Sequence, residues 1–277
     1  MATRLIGAGM RAFLVWLLIT TPSLLLSGPA GEESPMIVLI AIIAAFFTFT
    51  EYYSNYPSII EFRFAAPFNR LRFLMIFAMI ISLSLVCKGK ADPTELTMIV
   101  KHWGDMIGET FDQPFSPVRL VILMLHDQAH PELVASVRTA AGLSYAISLV
   151  ALATFILIVR VAKWPSRNGA FNVWVNLPLF DPTGGGDVLV RLKRDASVNI
   201  FFGFLLPFLI PAVVKGATDL TGTLTMSDPQ TLIWTMSAWA FLPASMIMRG
   251  IAMGRVAEMI EEKRRRAYAQ SEAAQAA

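Results

Sequence analysis

The sequence predicts an all-α integral membrane protein: a transmembrane bundle of six helical spans, with interfacial helices outside it and a small cytoplasmic β-hairpin. Three observations point there. Hydrophobic residues make up 55% of the 277 residues and charged ones 16%, against ~25% charged in soluble domains. Six apolar stretches approach the roughly 20 residues that span ~30 Å of hydrocarbon. Lys and Arg fall mostly between alternate stretches, as the positive-inside rule requires. This composition argues against a disordered chain, a soluble enzyme domain or a nucleic-acid-binding module. A single Cys excludes a disulfide framework or a multi-Cys metal site within the chain.

The bundle is expected over residues 1–254, with spans at about 12–26, 35–50, 71–87, 139–161, 198–214 and 231–253. Their interiors carry no Asp, Glu, Lys or Arg except Arg249, near the end of the sixth. Of the 23 Lys and Arg, 17 lie in 1–12, 51–73, 160–197 and 249–277. The acidic residues divide almost evenly, so the bias belongs to the cations. Both termini are therefore expected in the cytoplasm, and the short connections point to a bacterial inner membrane. The first span has a second reading: Arg4, Arg11, a short apolar run and Ser27-Gly28-Pro29-Ala30 also fit a secretory signal. Cleavage there would leave five spans. Pro29 suits a cleavage site poorly, which favours a retained span.

Between the second and third spans, residues 51–73 mix three Tyr, four Phe and three Arg. Aromatic rings prefer the headgroup level, and Arg stems lie along apolar surface with the head in water. The expectation is a contact surface for lipid or a partner protein, formed by Tyr52, Tyr53, Tyr56, Phe62, Arg63, Phe64, Phe68, Arg70 and Arg72. An ordinary aromatic belt with inside charge is the bland alternative.

Residues 88–138 form the extracytoplasmic loop. Asp92 is expected to cap a helix, with Pro93 in its first turn and Glu95 complementing its dipole. Leu96, Ile99, Val100, Trp103 and Ile107 then share one face, so the helix reads as amphipathic. A second apolar run, 118–125, is too short to span and reads as an interfacial helix or a plug.

Residues 162–197 form a cytoplasmic loop. Phe171, Val173, Val175 and Leu177 alternate with polar or aromatic neighbours, and Val188, Val190 and Leu192 follow across a Gly-rich turn. That pattern predicts the hairpin. The turn lacks the Lys-Ser/Thr pair of a phosphate loop, and turn chemistry explains its glycines. Residues 255–277 form a basic cytoplasmic tail with the block Lys263-Arg264-Arg265-Arg266.

Little in the chain reads as chemistry. His126 and His130 are one helical turn apart and His102 shares their loop, a weak pattern for a divalent metal; solvated loop histidines explain it as well. No other cofactor is implied, and no catalytic residue is assigned. Gly203, Pro207 and Pro211 mark a helix bend of the kind that lines transport pathways. The fourth span is rich in Ala, Gly and Ser, which predicts a central, closely packed helix. No ionisable group falls clearly mid-bilayer, where proton relays and ion couplers keep theirs. The leading expectation is thus a non-catalytic membrane protein acting by protein or lipid contact: an accessory subunit, assembly factor or scaffold. Its partners would be the lipid bilayer and other membrane proteins, not nucleic acid. A transporter or channel for a small neutral or lipid-like solute is the first alternative. A metal-dependent enzyme at the outer face is the second.

Overall fold

The computed structural model describes residues 2–26, 35–56, 58–125, 129–162, 164–165, 172–180, 185–221 and 226–276. These contain nine helices: α1 (Ala2–Leu25), α2 (Pro35–Tyr53), α3 (Phe68–Ala91), α4 (Glu95–Phe111), α5 (Pro117–Leu123), α6 (Pro131–Val161), α7 (Val173–Asn176), α8 (Val188–Thr221) and α9 (Pro229–Ala276). Six of them (α1, α2, α3, α6, α8 and α9) are long and apolar enough to cross a membrane. Each covers one of the apolar stretches, α1 to within one residue, and runs past it at one end or both, because backbone hydrogen bonding continues past the point where side chains become polar. The 48 residues of α9 reach about 72 Å at 1.5 Å per residue, more than twice the thickness of the hydrocarbon layer.

The α6 helix lies centrally, packed against α3, α4, α5 and α9. Ala140, Ala141, Gly142, Ser144, Ser148 and Ala151 are buried along it, and small side chains allow this close approach. α8 and α9 pair along their lengths, and α2 packs chiefly on α1. A Cβ on Gly250 would lie 2.7 Å from the Ala196 carbonyl oxygen of α8, and one on Gly203 would lie 2.7 Å from that of Pro243. The α8–α9 seam is therefore set by backbone contact at two glycines.

Hydrogen bonds sort the connections to two ends of the bundle. At one end Arg4 donates to Asn55 (2.5 Å), the Trp164 indole to the Ala65 carbonyl (3.2 Å), and the Arg264 guanidinium to Asp187 (2.9 Å). At the other, Lys90 donates to Ser136 (2.5 Å) and Arg138 to Asp112 (2.9 Å). The pieces carrying the excess of Lys and Arg thus gather at a common end.

Two expectations are corrected. The expected hairpin is absent: Val173–Asn176 of its first flank and the whole of its second are helical, and no strand occurs among the described residues. Residues 171 and 181–184 of that element lie outside the described residues. Val188–Lys193 opens α8. Leu192 is fully buried whereas Val190 is 64% exposed, so burial follows the helical period and not alternation. Asp187 starts the helix by accepting the Leu189 N–H (3.0 Å). A six-residue apolar–polar pattern fits both periods, and the pairing with α9 selects the helix. The second correction concerns α4. Its cap is Thr94, not Asp92: the Thr94 hydroxyl accepts the Thr97 N–H (3.3 Å), and the Thr97 hydroxyl accepts that of Thr94 (2.8 Å). Asp92 instead closes α3, its N–H bonded to the Lys88 carbonyl (2.9 Å), which leaves Pro93 between the helices.

α4 and α5 behave differently against the bundle. α5 buries Val118, Val121 and Ile122 against α6 and α8. α4 docks through Thr97, Gly104 and Gly108, and a Cβ on Gly142 of α6 would stand 2.5 Å from the Gly108 Cα. Of its expected apolar face, Leu96, Ile99 and Trp103 point outward at 50–58% exposure, while Val100 and Ile107 pack partly inward.

Candidate functional site

The segment 51–73 is where polar chemistry concentrates, and its local structure begins with one carboxylate. Glu51, buried at the end of α2, accepts the backbone N–H groups of Ser58 (2.8 Å), Ile59 (3.1 Å) and Ile60 (3.1 Å). The Ser58 hydroxyl donates to its second oxygen (2.6 Å). Three otherwise orphaned donors are satisfied at once, which folds the chain back on itself. Arg63 closes the loop by donating to the carbonyls of Glu51 and Ser54, with its guanidinium over the Phe64 ring at 4.6 Å. Phe62 adopts a left-handed backbone (φ 54°), and its N–H bonds to the Asn176 carbonyl (2.6 Å).

Behind this loop sits an aromatic cluster. Phe62 lies 4.7 Å from Phe68 and 5.6 Å from Trp164, and Phe155 lies 5.5 Å from both Phe68 and Trp164. Such ring contacts add roughly 0.5–1.5 kcal/mol each beyond the area they bury. Beside the cluster, Glu61 pairs in bidentate fashion with Arg249 of α9, at 2.5 and 2.8 Å. Asn69 donates to the Glu61 carbonyl (2.8 Å). Arg249, which falls inside the expected sixth span, is thereby partnered.

The nine expected contact residues divide by environment. Phe62 and Phe68 are buried in the aromatic cluster. Tyr52, Arg63 and Arg72 are half-buried, and Tyr52 carries the Arg11 guanidinium 4.6 Å over its ring. Tyr53, Tyr56, Phe64 and Arg70 are exposed, Tyr56 most of all at 81%. Sequence reasoning did not single out Glu51, Glu61, Asn176 and Trp164. Glu51 and Glu61 carried a signal, as the two acids of an otherwise basic, aromatic stretch.

At the opposite end, His102 is exposed on α4 and His130 is exposed before α6, while His126 lies outside the described residues. Among the described residues no three His, Cys, Asp or Glu side chains come together as a metal set. Asp112 there accepts from Arg119 (3.2 Å) and Arg138 (2.9 Å). Asp105 accepts from Lys101 (2.6 Å) and the Thr139 hydroxyl (2.5 Å). Burial alone would raise the Asp105 carboxyl, but these hydrogen bonds outweigh it and hold it below the usual carboxylate range.

The bend residues of α8 face α9. Pro211 has no N–H to give the Pro207 carbonyl, and the Trp239 indole donates to that oxygen instead (3.1 Å). Gly203 accommodates Pro243 and Ile247 of α9. These three positions therefore serve a packed helix pair whose freed backbone carbonyl is satisfied by a neighbour. No known protein family, curated protein or solved structure matches this chain.

Proposed function

We propose that the chain is a multi-pass protein of a cell membrane, a bacterial inner membrane by its short connections, with both termini in the cytoplasm. It acts by contact with protein or lipid and not by bond chemistry, as an accessory subunit, assembly factor or scaffold. The observation that carries this reading is the division within residues 51–73. Its acids and buried aromatics are committed to holding the segment rigid, while Tyr53, Tyr56, Phe64 and Arg70 stand outside. Rigid aromatic and Arg side chains on a preorganised loop are the residue types that dominate interface energetics. The 17-to-6 excess of Lys and Arg at the same end supports a cytoplasmic face for it.

The test is purification of the full chain from its native membrane in mild detergent, beside a variant carrying Tyr53→Ala, Tyr56→Ala, Phe64→Ala and Arg70→Ala. A membrane protein retained in fixed stoichiometry by the wild type and released by the variant is expected. A wild type that elutes as a lone monomer with no retained protein or lipid sinks the proposal.

A further inference from the structure

Arg72 differs from exposed Arg70, which is likewise unbonded to any described residue, in being partly buried. Its guanidinium makes no hydrogen bond and no ion pair with a described residue, and its Nε is fully buried. The contrast with Arg63 is direct, since Arg63 also has a buried, unbonded Nε but spends both terminal nitrogens on backbone carbonyls. Around Arg72 stand two aromatic faces, Phe68 at 5.4 Å and Phe241 at 5.8 Å. The ionisable groups that act on it electrostatically are Glu61, Arg249 and Tyr52. Glu61 is the one acid among them, and both of its oxygens are taken by Arg249. Asp195 also acts on Arg249, but no carboxylate bonds to Arg72 among the described residues.

A cation partly withdrawn from water without a bonded counter-charge is costly. Ring faces offset part of that cost but accept none of the guanidinium's hydrogen bonds. A planar guanidinium with free terminal donors, walled by aromatics and bonded to no carboxylate, matches a phosphate-type oxyanion, which takes two parallel N–H bonds. We propose that Arg72, between Phe68, Phe241 and the Glu61–Arg249 pair, binds the phosphate of an anionic group, supplied by a lipid headgroup or by free phosphate. Arg72 lies in the second turn of α3, at the end of the bundle where the basic pieces gather, which is the headgroup level if the chain spans the bilayer. The inference rests on the reading of the protein as one that works by contact, and it names a ligand for that contact.

Thermal unfolding of the full, delipidated chain in detergent tests it, with added phosphatidylglycerol, phosphatidylcholine or inorganic phosphate. Phosphatidylglycerol is expected to raise the wild-type midpoint by about 2 °C or more, and phosphatidylcholine to leave it in place. Arg72→Gln is expected to lose that rise, yet to melt no lower than wild type without lipid, because a half-buried cation without a bonded counter-charge has been removed. Arg72→Lys keeps the charge and loses the fork, so it retains less than half of the response; it carries the test if the Gln variant does not fold. Arg70→Gln, at an exposed neighbour, keeps the whole response. A rise with inorganic phosphate equal to that with phosphatidylglycerol assigns free phosphate as the source. An equal lipid response in wild type and Arg72→Gln overturns the site, and so does a wild type indifferent to both anions. Partner retention is read separately, so losing this site leaves the protein-contact reading standing.

Discussion

Single side chains in this protein are explained by what they satisfy. Glu51 collects three backbone donors, Glu61 neutralises Arg249, and the Trp239 indole replaces the N–H that Pro211 lacks. None of these partners is adjacent in sequence, and the Glu61–Arg249 pair joins positions 188 apart. That distance is why the charges were legible as present but not as paired. Asp105 yields a pH prediction. Its folded-state value lies below the ordinary one because Lys101 and Thr139 donate to it. A depressed carboxylate contributes stability that is fully present above the unfolded value of ~3.9 and is lost as pH falls through the folded one. The unfolding midpoint of the wild type in detergent is therefore expected to fall more steeply below about pH 5 than that of Asp105→Asn. Parallel curves for the two proteins would refute the assignment. The carboxylate is 38% exposed, so solvent screening keeps the difference modest.

Helices were easier to foresee than their faces. The six long helices follow from runs of apolar residues, a property each segment carries alone. The face a helix buries depends on its neighbour. On α4 Gly108 meets Gly142 and Gly104 meets the Thr139 and Leu143 side chains of α6, and this contact turns Leu96, Ile99 and Trp103 outward. The spacing of Gly104 and Gly108 was a readable small-residue signal, although the bulky apolar residues around it form the stronger pattern. At the start of α8 the same lesson takes a measurable form. Were 188–193 a strand, Val190 and Leu192 would share a face and suffer alike from truncation. In the helix Leu192 is fully buried and Val190 is 64% exposed. Leu192→Ala is expected to cost about 2–5 kcal/mol, and Val190→Ala under about 0.5 kcal/mol, in detergent unfolding. Equal losses at the two positions would restore the hairpin.

Across the molecule, polar segments gather at two ends of an apolar bundle, and the proposed topology assigns those ends to opposite sides of a membrane. Thiol labelling distinguishes the ends directly. With Cys87, which is buried, replaced by Ser, single cysteines at Tyr56 (81% exposed), Tyr268 (67%) and Phe115 (92%) report three surfaces. An impermeant reagent outside intact cells is expected to label the cysteine at position 115 and to leave those at 56 and 268 untouched until the membrane is opened. Labelling of 56 and 268 from opposite sides would break the topology, and labelling of both from outside would invert it.

The number of apolar helices, and the asymmetry of charge between alternate connections, could be read from the chain alone. Hydropathy and charge are sums over neighbouring residues, so a window of about 20 residues contains the whole signal. Three-dimensional packing was needed for the rest: the burial of Phe62 and Phe68, the helical start of α8, the cap at Thr94, and the solitary guanidinium of Arg72. Each depends on which distant segment arrives alongside. A side chain's hydrogen bonds and contacts are properties of a pair of positions, and no local window holds both members.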